Sequence, residues 1–238
     1  MNISVITTLY NYSNYIEEAI KSFLDQNFND TEMIIVDDAS TDNPYKIIKK
    51  YENDKIKYIR LEKNQGYSHA KNVGIKASLS ETLVMLDADD MLVKGSLESR
   101  YYKLMLGYDF VHGPVLELRK GALKEHKLWK QWKKSNKDAS CYRLVHAQSV
   151  MLKKEIHRQI GLYDESLRCK SDREMWARIF SHNFKIGWVN DYVSVYRSHS
   201  KQMHKSKEKM KINDKLQKQV LKKIKKRVSD LSDLEMLI

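Results

Sequence analysis

Three aspartates crowd the end of an apolar run in Leu86-Asp87-Ala88-Asp89-Asp90. Asp87 and Asp89 flank one small residue, so an extended backbone would point both carboxylates to the same side. Together they can hold one divalent cation through oxygen ligands and leave positions open for phosphate oxygens. Acidic loops are often only solvated turns or caps, but a place directly after an apolar strand favours a metal and phosphate role. A second acidic pair, Asp37-Asp38, ends the run Met33-Ile34-Ile35-Val36. Asp38 can accept a hydrogen bond from an imide-like N–H of a nucleobase, and Ser40, Thr41 or Asp42 can cap the following helix. The alternative is that both aspartates serve a turn and a cap only. In the segment 63–74, Gly66, Lys71 and Asn72 can bring backbone N–H groups and a cation near a pyrophosphate, or can simply belong to a capped helix with an exposed lysine.

Further along, Asp172 in Ser171-Asp172-Arg173-Glu174-Met175-Trp176 opens a helical pattern, where the macrodipole favours the ionised carboxylate; helix capping is the competing role. His199 in Tyr196-Arg197-Ser198-His199 is an imidazole that can ligate a metal or sit as an ordinary histidine. Trp129 and Trp132, set among lysines, can stack on a sugar or a nucleobase or can anchor their own loop. Met175, Trp176 and Ile179 read as core.

These residues need a scaffold that gathers strand ends. From Ile3 the chain alternates short β-branched runs (3–9, 32–38, 56–62 and 81–90) with amphipathic stretches (13–26, 43–54 and 68–79). That is the pattern of βαβ units on a parallel sheet. Ile16, Ala19, Ile20, Phe23 and Leu24 form the stripe by which the first helix would pack on the sheet. In such open, Rossmann-like α/β sheets ligands bind outside the carboxyl ends of the strands. Thr8 and Tyr10, Asp37 and Asp38, Asn64 to Ser68, and Asp87 to Asp90 would therefore meet along one crevice. Neither G-x-G-x-x-G nor G-x-x-x-x-G-K-[ST] occurs, which argues against a dinucleotide fingerprint and a P-loop. Beyond Gly95 the sequence reads as a helix (96–106), a short strand (108–113), a basic aromatic stretch without strong periodicity (118–138) suited to a mobile loop, helices at 153–160 and 171–180, and one strand-like run from 184 to 200. No internal repeat is present.

The chain has 238 residues, with 42% hydrophobic and 10% aromatic side chains, 8 Gly and 2 Pro, which excludes disordered, collagen-like and Pro-rich classes. A net charge of +12 suits an anionic partner, but the excess is local. Residues 201–228 carry twelve Lys and Arg against Glu208 and Asp214, on an i,i+4 stripe of Ile212, Leu216, Val220, Ile224 and Val228, so the tail reads as a basic amphipathic helix. Cys141 and Cys169 have no C-x-x-C spacing, so no disulfide framework or zinc site is expected and a reducing cytoplasm fits best. No apolar run approaches the roughly 18 residues of a membrane span, and the N-terminus lacks the pattern of a signal peptide.

Taken in order, the segments 4–11, 36–42, 64–75, 86–90, 161–167, 171–178 and 196–199 resemble the inverting family 2 glycosyltransferases, over about five-sixths of the chain. The resemblance implies a single GT-A domain with a mixed central sheet at 1–199, divided into a nucleotide-binding half (1–94) and an acceptor and catalytic half (95–199), followed by the basic tail at 200–238. It implies that Thr8 and Asp38 hold the uracil of a UDP-sugar with Tyr10 beside the base or ribose, and that Lys71 lies at the diphosphate. Asp87 would meet the ribose or sugar. Asp89 would ligate Mn²⁺ or Mg²⁺ with His199 as a third contact, Asp90, Asp37 and Arg197 would assist, and Asp172 would be the catalytic base. Two positions depart from the family pattern. Ser171 stands where a Glu often precedes the base, and Lys71 replaces an Arg, keeping charge but losing bidentate phosphate geometry. The expected acceptor is a glycan or lipid-linked glycan at the inner face of an anionic membrane. A hydroxymethylated base in phage DNA is the alternative, and a non-catalytic nucleic-acid-binding protein is the competing class.

Overall fold

The central strands are buried on both faces, and that requirement shapes the molecule. A computed structural model describes residues 2–134, 144–167, 170–200 and 202, with backbone alone for 132–134. Strands β1 (Ile3–Leu9) and β2 (Thr31–Asp37) are buried at every residue, and β4 (Thr82–Asp87) at every residue but the last. Side chains alternate between the faces. Ile3, Val5 and Leu9 of β1 pack with Ile16, Ala19, Ile20 and Phe23 of helix α1 (Ser13–Leu24) on one side, while Ile6 packs with the far-side cluster that includes Ile75 of helix α3 (Tyr67–Ala77). Leu24, expected in the first stripe, is instead 45% exposed as the last residue of α1. Strand β3 (Ile56–Arg60) forms one edge of the sheet.

The sheet has seven strands in the order β10-β6-β9-β4-β1-β2-β3, adding β6 (Phe110–His112), β9 (Met151–Lys153) and β10 (Ile186–Trp188). Strands β1 to β4 are mutually parallel, and β9 inserts antiparallel between β4 and β6, which makes the sheet mixed as expected. The chain passes from β1 out to β3 and returns through α3 to β4 on the other side of β1. The switch in direction lies at β1 and β4, where an open α/β sheet forms its crevice. In register, Thr8 pairs with Asp87 and Leu9 with Asp37.

A second sheet, in the order β5-β11-β7-β8, comprises β5 (Met91–Leu92), β7 (Val115–Arg119), β8 (Ala122–Glu125) and β11 (Ser194–Ser198). It corrects two expectations. The run 184–200 is two strands in different sheets, β10 and β11, separated by the polar turn at Asn190 and Asp191. Part of the basic stretch expected as a mobile loop is the β7–β8 hairpin, closed by Lys120 and Gly121 with φ of 51° and 78°, the left-handed pair that matches strand twist. Because β8 is almost wholly exposed, it lacks the apolar alternation that would have announced it. Helix α5 (Lys127–Lys134) follows. The expected helices at 96–106, 153–160 and 171–180 are α4 (Ser96–Met105), α6 (Glu155–Ile160) and α7 (Ser171–Phe180). The stretch 43–54 yields only the four-residue α2 (Tyr45–Ile48), because the chain turns back through an Asn53–Ile56 bridge. The Trp132 side chain, Cys141, Cys169 and, of the tail expected at 200–238, residue 201 and residues 203–238 lie outside the described residues. Among the described residues no helix is long and apolar enough to cross a membrane.

Helix α3 approaches β1 through Gly74, where an added Cβ would fall well inside van der Waals contact with Ile6 Cγ2. Gly74→Ala is expected to lower stability by about 1–3 kcal/mol through overpacking, outweighing the roughly 1 kcal/mol of helix propensity that alanine adds; the denaturant midpoint measures it. His112 and His157 are buried, and burial pushes their pKa values down to about 3 and about 4. The unfolded chain takes up protons near pH 6.5 and the folded chain does not until far lower pH. The contribution of each of these two histidines to stability should therefore fall as pH drops from 6.5 toward 4, by about 1.4 kcal/mol per pH unit. Equilibrium unfolding of the protein and of His112→Gln at pH 7.5 and pH 5 tests this: the change in stability between the two pH values should shift by about 2 kcal/mol when His112 is removed.

Candidate active site

The acidic cluster forms where β4 ends at the crevice. Beyond Asp87 the chain turns, with Asp90 N–H donating to the Asp87 carbonyl at 3.0 Å and the buried Ala88 N–H to the Thr8 carbonyl at 3.3 Å. Carboxylate oxygens of Asp87, Asp89 and Asp90 lie within 4.8 Å of one another. The turn brings them together, rather than the strand alternation expected from the spacing. Crowded carboxylates in a partly dry site resist ionisation. Burial, then the like charges of Asp89 and Asp172, push Asp87 up to about 7 against the pull of Lys71 and the Tyr67 hydroxyl. Burial, then Asp89 and Asp87, raise Asp90 well above the usual carboxylate range.

Several groups hold this cluster. Thr8 Oγ1 at 3.4 Å and Tyr67 Oη at 2.9 Å donate to Asp87 Oδ1, and Gln148 Nε2 donates to Oδ2. Strand β11 supplies the rest. Arg197 N–H donates to Asp90 Oδ1 at 2.8 Å, its Nε to the Asp89 carbonyl at 3.0 Å, and its Nη2 to Glu18 at 2.7 Å. His199 Nε2 is 2.9 Å from Asp89 Oδ2, and its ring lies against Tyr12 and Tyr15 with centroids at 5.5 and 4.7 Å. Three carboxylates offer the oxygen donors that suit Mn²⁺ or Mg²⁺, and their mutual repulsion is what a divalent charge relieves, while His199 is bonded to Asp89 outside this set of three. The three aspartates fit such an ion.

Toward β2, Asp38 accepts from Gln65 N–H at 2.7 Å and Gly66 N–H at 2.8 Å, so it fastens the loop before α3, where Gly66 takes φ 96°. Each oxygen keeps a further lone pair. Thr8 is 7% exposed, and Tyr10 is 44% exposed at the rim. Asp37 is fully buried and takes Ser40 N–H, Tyr58 Oη and Arg60 Nη1 at 2.6–2.8 Å, which makes it a brace of the β2 loop. Ser40, Thr41 and Asp42 do not cap the following helix. Asn11 N–H and Ser13 N–H donate to Ser40 and Asp42, and Thr41 N–H donates to Asn11, which ties this loop to the entry of α1.

On the far wall α7 begins at Ser171 after Lys170, whose φ is 57°; Asp172 therefore lies inside the first turn rather than at the cap. Lys71 Nζ donates to Asp172 Oδ1 at 2.5 Å. The Lys71 ammonium is enclosed, 4.2 Å from the Tyr67 ring centroid and 4.9 Å from that of Tyr163, and the residue is 1% exposed instead of facing the open crevice. Asn72 pins the neighbouring turn, donating to the Tyr163 carbonyl at 2.9 Å and accepting from Tyr163 N–H at 3.0 Å. Arg178 holds the same turn from α7 through the Ile160 and Leu162 carbonyls. Met175, Trp176 and Ile179 are core, and Trp129 is buried near His112.

Gln148 and Tyr163 carry no sequence signal of a site, and Tyr67 falls in the crevice span Asn64 to Ser68 without a role of its own. Tyr67 is one turn before Lys71 on α3, a spacing that could have flagged it. Gln148 sits in a short 3-10 turn (Ala147–Ser149) that reaches Asp87 only because β9 inserts beside β4, and no local signal marks it.

The glycosyl transferase family 2 model matches residues 4–144. TuaG of Bacillus subtilis, a glycosyltransferase named for teichuronic acid biosynthesis, is 30% identical over 82% of this chain and 78% of its own length. A Campylobacter jejuni GalNAc(5)-diNAcBac-PP-undecaprenol beta-1,3-glucosyltransferase is 28% identical over 86% of this chain and 62% of its own. The fold is shared with Staphylococcus aureus TarS in complex with UDP-GlcNAc (TM-score 0.72, 21% identity, 85% of this chain, 60% of that one). It is shared also with the mannosyltransferase PcManGT of Pyrobaculum calidifontis in complex with GDP-Man and Mn²⁺ (0.69, 18%, 85% and 59%). This chain thus spans about three-fifths of the solved chains it matches. A family match over more than half the residues, together with the mixed sheet, places this chain in glycosyl transferase family 2.

Proposed function

We propose that this glycosyltransferase is metal-dependent and inverting, moving a sugar from a UDP-sugar to a hydroxyl of a glycan or lipid-linked glycan, with residues 1–199 as the transferase unit. The observation that carries the reading is the pairing of an acidic cluster at β4 with a separate carboxylate, Asp172, on α7. The names of TuaG and of the undecaprenol-linked glucosyltransferase favour the acceptor class, and the UDP-GlcNAc bound by TarS favours the donor.

In this reading Thr8 and Asp38 bind uracil, with Tyr10 beside the base or ribose. Asp87 orients the ribose or the sugar, and Asp89, with His199 and the help of Asp90, would hold a divalent ion, whose charge would stabilise the leaving diphosphate. Arg197 braces Asp89 and Asp90. Asp172 receives the proton of the acceptor hydroxyl as the acceptor oxygen forms its bond to the sugar C1 and the bond from C1 to the UDP oxygen breaks. Displacement from the opposite face inverts the anomeric centre.

A panel of UDP-, GDP- and dTDP-sugars read by nucleotide release should select a UDP-sugar, with activity lost in EDTA and restored by Mn²⁺ or Mg²⁺; full activity in EDTA would remove the metal from the mechanism. Asp172→Asn should lower turnover at least about 100-fold, in the range of a lost general base, while UDP affinity changes little. Loss of both would take Asp172 out of the base role. Truncation at residue 205 should weaken binding to anionic vesicles with a steep salt dependence if the tail recruits acceptor at a membrane; selective loss of DNA binding would favour the nucleic-acid acceptor instead.

A further inference from the structure

Lys71 is the charged group whose position differs most from its expected role. A diphosphate contact would face the crevice, yet Lys71 is buried, walled by the rings of Tyr67 and Tyr163, and bonded to Asp172. Its side chain is 2% exposed against 20% for Asp172, so the pair is closed on the lysine side and open on the carboxylate side. Asp172 Oδ1 takes the ammonium, and Oδ2 has no hydrogen bond among the described residues. Tyr67 also donates to Asp87, so a single side chain touches both the acidic cluster and the lysine. Helix α3 is itself fixed by the close approach at Gly74 and by Asn72 to the turn that precedes α7.

We propose that Lys71 is a positioning residue for Asp172: its caged ammonium holds one carboxylate oxygen and so presents the other to the acceptor hydroxyl. The inference rests on the reading of Asp172 as general base. A compact ammonium suits the role, since it can enter a cage of two rings and make one directed bond, whereas a guanidinium would bring a planar fork. A carboxylate without this tether could rotate about its side-chain torsions, and misplacement by about 1 Å can cost on the order of 100-fold in rate.

The test uses the full chain with UDP-GlcNAc and Mn²⁺, reading UDP release with water in place of the acceptor, and UDP affinity by calorimetry. Lys71→Met should lower turnover at saturating donor by about 10- to 100-fold with UDP affinity within about twofold. Lys71→Arg should recover part of the loss, and Lys71→Met should cost nothing further in an Asp172→Asn background. Lys71→Gln, of similar length and uncharged, serves where methionine is not tolerated in the fold. Weakened UDP binding of tenfold or more with saturated turnover retained would overturn the proposal and make Lys71 a diphosphate contact. Unchanged turnover would overturn it too. Wild-type turnover in Asp172→Asn alone would instead sink the base assignment, whatever Lys71 shows.

Discussion

Repulsion among carboxylates in a poorly hydrated crevice is the constraint around which the second half of this chain is arranged. Asp87, Asp89 and Asp90 converge within 4.8 Å, and Asp172 adds its field from α7. In low dielectric such charges cost several kcal/mol unless paired or bonded. Burial and like charge raise Asp87 and Asp90 above the usual carboxylate range, and a positive charge placed among them would relieve that repulsion.

The compensation comes from elements that contribute little to the main sheet. Strand β11 belongs to the small second sheet, yet it carries Arg197 and leads into His199, so the β5–β11 pairing delivers a backbone N–H, a guanidinium and an imidazole to the acidic turn. Helix α3 acts differently. It carries Tyr67 toward Asp87 and Lys71 toward Asp172, and braces the turn before α7 through Asn72. One helix thus couples the acidic side of the crevice to its opposite wall. Gly74 is the steric condition for this, because α3 must lie close on β1.

The first ninety residues were legible in sequence because their strands are apolar on both faces and their helices carry clean stripes, so position after a strand predicted position at the crevice. Asp38 and Asp87 sit at the mouth for that reason. The second half was less legible where burial is partial. The exposed β8 carried no alternation, and the run from 184 to 200 hid a change of sheet between β10 and β11. Gln148 reached Asp87 by strand insertion, which no local pattern encodes.

Residue type and order alone determined the α/β class, the crevice at the strand ends, the acidic cluster and the family, since these follow from hydrophobic periodicity and from short contiguous motifs. Tertiary structure decided the partners. It turned Asp37 into a brace, placed Asp172 inside a helix turn rather than at its cap, and directed Lys71 to Asp172 instead of the open crevice. The physical reason is distance along the chain: Lys71 and Asp172 are 101 residues apart, and the direction of a buried charge is set by which opposite charge the packed elements bring within reach.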